Sequence, residues 1–295
     1  MSKCLVTGHK GYIGSHLFET LKKLGHEVVG IDLVEGHDIN GVEGLTESGD
    51  GKFRPHWSNF EPEYIFHLAC IPRVAYSIEH PVKTMNNNVL CTSNVLNFAR
   101  HIGVKRVIYS SSSSVVGNGT GPTSPYGLQK LVSEMECKLY SELYGLETVS
   151  LRYFNVYSKD QEADGPYATA ISNWMQYIRE SRNPYITGTG AQRRDMLHVK
   201  DAVAVNIFAM EHEGRFNGQS FDVGTGTNIS LNEVKKIVNN YFSEVEFDYI
   251  ESRPGEVQET RADTLLLQKL GWKTEVTIKD GIEECFKNLK ENLKC

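Results

Sequence analysis

Short apolar runs alternate with longer amphipathic stretches through the first half of the chain. Lys3–Thr7, Glu27–Asp32, Tyr64–Leu68, Arg106–Ser110 and Thr148–Arg152 read as strands. Tyr12–Leu24, Val82–His101 and Ser124–Tyr144 read as helices. In the last, Leu131, Met135, Leu139 and Leu143 recur every four residues, the spacing of one helix face. Strands separated by helices predict βαβ units, and so an α/β fold with a doubly wound parallel sheet covered on both faces. After about Asn155 the pattern loosens. Phe154–Gly165 is polar and loop-like, and helices are predicted over Tyr167–Ser181, Leu231–Phe242 and Ile278–Lys294. This half predicts a smaller second domain. The four glycines of Gly41–Gly51 fall where the second crossover helix belongs, so that helix is expected to be short or missing.

Composition narrows the class. The 295 residues carry 31 Lys+Arg against 37 Asp+Glu, a net charge of -6, which argues against a general binder of nucleic acid or anionic membrane. No window approaches 18 uninterrupted apolar residues, and the first apolar run stops at Thr7-Gly8, too short for a signal or an anchor. None of the six cysteines forms a CxxC pair, so reduced thiols and a cytoplasmic site are expected. The ten histidines show no metal-ligand spacing, and no metal is assigned.

The first chemical feature is Thr7-Gly8-His9-Lys10-Gly11-Tyr12-Ile13-Gly14, a glycine-rich turn between a predicted strand and a predicted helix. Glycine lets the backbone N–H groups approach a pyrophosphate, and the helix N-terminus adds partial positive charge. Asp32 ends the next strand, 18 residues beyond Gly14. A carboxylate there accepts hydrogen bonds from both adenosine-ribose hydroxyls and repels a 2′-phosphate, which favours NAD over NADP. Lys10 pulls the other way, because a cation in that loop could meet a 2′-phosphate. Leu33 and Val34 add no such cation.

The second feature is Tyr126-Gly-Leu-Gln-Lys130, a phenol and an ammonium on one helix face. A free tyrosine has a pKa near ~10. The ammonium and a positive nicotinamide ring both favour phenolate, so a lowered value and a base at neutral pH are expected. The third is Arg106–Gly117, a strand running into five serines, which would place a hydroxyl at the C-terminal edge of the sheet.

With these residues in view, the chain resembles the extended short-chain dehydrogenase/reductase family, in particular its nucleotide-sugar epimerases and dehydratases. The resemblance also rests on His67-Leu-Ala-Cys70, Ser124-Pro-Tyr126, Leu151–Tyr157, Arg194–Asp201, Phe221–Gly226, Arg253-Pro-Gly-Glu256 and Leu270-Gly-Trp272. It implies a Rossmann-like NAD-binding domain over 1–155, with segments around 195–212 returning to it, and a smaller mixed α/β nucleotide-sugar domain over 156–295. It implies a catalytic trio of Ser112, Tyr126 and Lys130. It assigns NAD to Gly8, Gly11, Tyr12, Ile13, Gly14, Asp32, Leu33, Asp38, Ile39, Leu68, Ala69, Asn88, Tyr126 and Lys130. It assigns the nucleotide sugar, of UDP-hexose type, to Ser112, Tyr126, Asn155, Arg194, Arg253 and Glu256. Guanidinium forks suit the diphosphate and Glu256 suits ribose hydroxyls. A homodimer packed through Val82–His101 and Ser124–Tyr144 is also implied.

Several chemistries share such a scaffold, all beginning when Tyr126 removes a hydroxyl proton while hydride passes to NAD. The resemblance gives dehydratases Asp-Glu after the catalytic hydroxyl residue, and decarboxylases a glutamate at the first of those positions. Ser113 and Ser114 stand there instead. A 3,5-epimerase/reductase would bring a Cys/His pair and usually NADPH. The expectation is therefore a C4 epimerase, with a dehydratase or reductase as the alternative. A catalytically silent NAD-binding sensor or scaffold is the non-enzyme reading. Two segments, 33–63 and 117–123, are shorter than the family pattern, and Val116 stands where a tyrosine is usual.

Overall fold

The computed structural model describes residues 1–41, 44–53, 55–57, 60–117, 119–163, 169–252 and 257–293. In chain order the first elements are β1 (Lys3–Thr7), α1 (Tyr12–Lys23), β2 (Glu27–Ile31), β3 (Tyr64–His67), α2 (Val74–Glu79), α3 (Pro81–Met85), α4 (Cys91–Ile102), β4 (Arg106–Ser112), α5 (Pro125–Tyr144) and β5 (Thr148–Tyr153). Then follow β6 (Val156–Tyr157), α6 (Ala170–Arg179), β7 (Tyr185–Thr187), β8 (Arg193–Arg194), β9 (Leu197–His198), α7 (Val199–Glu211) and β10 (Asn217–Val223). The last are β11 (Ile229–Ser230), α8 (Leu231–Tyr241), β12 (Asp248–Ile250), α9 (Leu265–Lys269) and α10 (Ile278–Asn292).

One six-stranded sheet has the order β10-β5-β4-β3-β1-β2. The pairs β1·β2, β1·β3 and β3·β4 are parallel. The register puts Ile31, Thr7, His67 and Tyr109 in one row across four neighbouring strands. These strands therefore end at one edge, where the loops that follow β1, β2, β3 and β4 emerge. Leu5, Ile31, Ile65 and Val107 are fully buried against Val95, Leu96 and Ala99 of α4. The predicted α/β fold with a parallel sheet is what the chain adopts.

The chain divides into two compact units, Met1–Arg152 with Val203–Phe221, and Tyr153–Ala202 with Asp222–Cys295. The second has its own core, in which Ile171, Trp174 and Met175 of α6 meet Val234 and Val238 of α8 and Ile282, Cys285 and Phe286 of α10. Thr169 and Ser230 cap α6 and α8 with reciprocal capping boxes.

Two local expectations need correction. The helix predicted over Val82–His101 is interrupted by a π-helical turn at Asn86–Leu90. That wider turn comes from one extra residue per turn, which the apolar spacing does not reveal. The Leu131–Leu143 face of α5 is largely exposed, with Met135 and Leu143 each 63% accessible. The opposite face of α5, with Tyr126, Lys130, Glu134, Cys137 and Ser141, is buried instead. Short strands and α7 in the second half fall outside the elements predicted there. The thin crossover behaves as expected: among the described residues between β2 and β3 the one helical feature is a 3-10 turn at Leu33–Glu35.

Candidate active site

β1 runs directly into the glycine turn. Gly8 lies at φ +73°, and a Cβ there would come within 2.8 Å of the Ala69 nitrogen. A Cβ on Gly14 would reach 2.0 Å from the Gly8 carbonyl oxygen. Side chains would fill this cradle, which is the reason for glycine at both positions. Gly11 is the N-cap of α1, and no side chain caps the helix, so Tyr12, Ile13 and Gly14 open it with the partial positive charge of its first turn turned toward the loop. Asp32 braces the loop from the end of β2. Its Oδ2 accepts from the Lys10 N–H at 2.9 Å and its Oδ1 from the Val34 N–H at 3.1 Å. A carboxylate offers about four lone-pair positions, so capacity for hydroxyl donors remains. This uncapped cradle with an acid beside it fits a dinucleotide.

Leu33 is exposed in the 3-10 turn. Asp38 is exposed, its Oδ1 accepting from the Asn40 N–H at 2.9 Å, while Ile39 is buried. Leu68 and Ala69 lie where β3 ends. Their N–H groups donate to the Thr7 carbonyl and the Thr7 hydroxyl, each at 3.2 Å.

The Thr7 hydroxyl starts a buried relay that sequence reasoning missed. Thr7 Oγ1 lies 2.7 Å from His67 Nδ1, His67 Nε2 lies 3.0 Å from Thr92 Oγ1, and the Thr92 hydroxyl donates to the Asn88 carbonyl at 2.7 Å. Because the Thr92 hydroxyl donates to Asn88, His67 Nε2 carries a proton, and in the neutral ring Nδ1 accepts from Thr7. Burial, reinforced by the nearby Lys130 ammonium, pulls its pKa down to about 3. Asn88 is buried in the π turn, and its side chain bonds both polar groups of Ile71 and Gln129 Oε1. It fixes the loop after β3 from within.

The serine run and α5 form the other end. Ser124 caps α5 by accepting from the Gly127 N–H, and Pro125 opens its first turn. One turn apart follow Tyr126, Lys130 and Glu134. Lys130 is only 2% exposed, and its Nζ donates to the Ser110 carbonyl at 2.6 Å. Its Nζ also stands 4.9 Å from the Tyr109 ring centre and 5.9 Å from that of Tyr126. Ser112 Oγ accepts from the Ser114 N–H and meets Ser114 Oγ, both at 3.2 Å. The Ser112 hydroxyl is near enough to the Tyr126 phenol to favour its ionised form.

The phenol departs from expectation. Burial drives its pKa up, and the Lys130 ammonium and the Ser112 hydroxyl pull it down without reversing that. The expected acidification is not reached by the chain's own groups, because a phenolate loses more solvation here than one ammonium returns.

A second missed element lies one turn beyond Lys130. Glu134 is 4% exposed and accepts from Arg152 Nε at 2.8 Å and Nη2 at 2.6 Å, from Ser220 Oγ at 3.0 Å, and from Ser111 Oγ. Its signal was present: Tyr126, Lys130 and Glu134 follow a four-residue period, and a carboxylate on that buried face needs a partner.

In the second unit, Asn155 and Arg194 line a cavity of 270 Å³ with Thr169, Asn173, Trp174 and Gln192 among its walls. Asn155 holds a left-handed backbone at φ +37° and its Nδ2 donates to the Asp195 carbonyl at 2.7 Å. Arg194 Nη1 donates to the Arg193 carbonyl at 3.0 Å. Asp195 is fully buried and accepts from the N–H groups of Thr225, Gly226 and Ala262, which ties the loop after β10 and the segment before α9 to the end of β8. Burial holds its carboxyl above the usual range. Trp174, Thr187 and Gln192 are too scattered in sequence to form a motif. Arg253 and Glu256 lie outside the described residues. Among the described residues no cluster of His, Cys, Asp or Glu could hold a metal ion, and no helix is long and apolar enough to cross a membrane.

The family model for NAD dependent epimerases and dehydratases matches residues 4–224. The chain belongs to that family. The resemblance to the extended short-chain dehydrogenase/reductases is thereby borne out, the protein is an enzyme of this kind, and NAD is its cofactor. A putative UDP-glucose 4-epimerase of Methanocaldococcus jannaschii is 32% identical, with 98% of each chain covered. A UDP-N-acetyl-alpha-D-glucosaminuronate decarboxylase of Bacillus cytotoxicus is also 32% identical, over 80% of this chain and 79% of that one. The crystal structure of UDP-glucose 4-epimerase from Thermotoga maritima with UDP-glucose has a TM-score of 0.85 at 27% identity, covering 99% of both chains.

Proposed function

We propose that the chain interconverts a UDP-linked sugar with its C4 epimer. The observation that carries this reading is the grouping at the end of β4: the buried Tyr126 phenol beside half-buried Ser112, with buried Lys130 one turn away and serines at 113 and 114. Tyr126 takes the proton of the C4 hydroxyl and later returns it. Ser112 orients the reacting oxygen, and Lys130 favours the phenolate. NAD, when held by the glycine turn, would supply the hydride acceptor for C4, and its positive charge would add to that of Lys130 in favouring the Tyr126 phenolate. Ser113 and Ser114 cannot act as carboxylic acids, so nothing at these two positions expels water or carbon dioxide. The decarboxylase relative is as similar in identity, but this chain has Ser113 where the resemblance gives decarboxylases a glutamate.

For the cofactor we assign Gly8, Gly11, Tyr12, Ile13 and Gly14 to the pyrophosphate, Asp32 to the adenosine ribose, and Leu33, Asp38 and Ile39 to adenine. Leu68, Ala69 and Asn88 form the channel, and Lys130 holds the second ribose. For the substrate, Asn155 and Arg194 line the cavity that takes the nucleotide, with Arg253 and Glu256 assigned by resemblance. The exposed apolar residues Val82, Met135, Leu139 and Leu143 suit a homodimer face, and the cytoplasm is the assigned location.

The test is incubation of purified protein with UDP-glucose, UDP-N-acetylglucosamine and UDP-glucuronate. At least one should reach equilibrium with its C4 epimer without net reduction of dinucleotide. Loss of water or of carbon dioxide from the sugar would move the enzyme to another class.

A further inference from the structure

Lys10 poses a question that the fold alone does not answer. It puts a cation in the glycine turn, where a 2′-phosphate would welcome it, yet the cofactor is NAD. The 3-10 turn after β2 supplies the missing part. Asp32 starts it, Glu35 ends it, and Gly36 at φ +83° turns the chain away. Glu35 Oε1 meets Lys10 Nζ at 2.9 Å, and Glu35 Oε2 meets His9 Nε2 at 3.1 Å.

His9 is not a loose partner. Its ring is buried beside Phe18, with centres 5.0 Å apart, and a Cβ on Gly30 would strike it at 2.3 Å. The absent side chain at position 30 thus seats His9, and His9 steadies one oxygen of Glu35 while the other takes the ammonium. The Lys10 backbone is fixed at the same time by the Asp32 carboxylate. The glycine turn and the turn after β2 are therefore joined through both backbone and side chain.

We propose that Glu35 is a specificity-determining residue for the dinucleotide. It neutralises Lys10, and it adds a second carboxylate beside Asp32, so a 2′-phosphate meets two acids and an already paired cation. Refusal of NADP then rests on Glu35 as well as on Asp32. A 2′-hydroxyl carries no charge and is indifferent to the pair. The proposal rests on the family's cofactor being held by this turn.

The experiment is calorimetric titration of the full chain, cleared of copurified nucleotide, with NAD⁺ and with NADP⁺. In Glu35→Gln, NADP⁺ should bind about tenfold more tightly, the scale of one opposed charge at a partly solvated site. NAD⁺ affinity should move less than about threefold, since its ribose hydroxyl is uncharged. Adding Lys10→Met to Glu35→Gln should remove the part of the gain that the freed ammonium supplies and leave only the smaller part from the lost carboxylate. Equal shifts for both dinucleotides in Glu35→Gln would mark a merely structural role and overturn the proposal. A gain left undiminished by Lys10→Met would also overturn it. A wild type that binds neither dinucleotide would instead overturn the assignment of NAD to this turn. One that binds both equally would leave that assignment standing and remove the selectivity claimed for Glu35.

Discussion

The two ends of the sheet edge handle charge in opposite ways. After β2 the ionic groups are open to solvent: Lys10 is 47% and Glu35 38% exposed. At the junction of β4 and α5, Lys130 and Glu134 are nearly sealed. In water a pair of charges adds little to stability and can be rearranged at small cost, so the exposed end is suited to selecting among ligands. In the interior every ion needs its complement of partners, and each one shifts the proton affinity of its neighbours. The buried end is suited to chemistry. The same side-chain types serve both ends, and solvent access decides which effect dominates.

The largest test of this contrast is Tyr126→Phe. The variant should fold and bind NAD, while turnover drops by about 10²–10⁴, the usual worth of a positioned proton-transfer group. Retained activity in a steady-state assay would remove Tyr126 as the base. Next comes Glu134→Ala, which leaves Arg152 partly buried without its carboxylate. Denaturant unfolding should show a loss of about 3–5 kcal/mol, and pairing it with Arg152→Met should recover part of that.

His67 gives a pH test. Its folded pKa of about 3 lies below the ordinary value of 6.5, so between these values the unfolded chain binds the additional proton. Stability from neutral His67 is complete above about 6.5 and declines as pH falls toward 3, by up to about 1.4 kcal/mol per pH unit. Unfolding free energies measured across that window should slope less steeply in His67→Gln than in the wild type. The smallest effect belongs to the exposed end. Lys10→Met should change unfolding free energy by under about 1 kcal/mol, which a thermal melt would check. An effect as large as that of Glu134→Ala would break the contrast between the two ends.

Much of the first unit was legible because its signals are local. β1 matches its predicted bounds, and β2 to β5 differ by one or two residues, since each apolar run is bounded by the residues that stop it. The glycine turn between β1 and α1, Asp32 after β2 and the Tyr126/Lys130 spacing on α5 are each set by local backbone geometry. α5 shows where local reading stops. Its most regular apolar stripe faces outward, and its polar stripe is inside, because burial of Lys130 and Glu134 depends on partners from β4, β5 and β10. A period of four identifies a face but does not say which way it points.

The sequence by itself determined the fold class, the glycine turn after β1 and the one-turn spacing of Tyr126 and Lys130, all of which follow from near-neighbour spacing and backbone sterics. Tertiary structure alone decided that Lys10 is neutralised by Glu35, that His67 stays neutral, that Tyr126 is pushed upward by burial, and that Asn155 and Arg194 share a cavity with Trp174 and Gln192. The physical reason is the same in each case. Charge and proton affinity are set by solvent exclusion and by partners distant in the chain, and neither quantity is written in the spacing of residues along it.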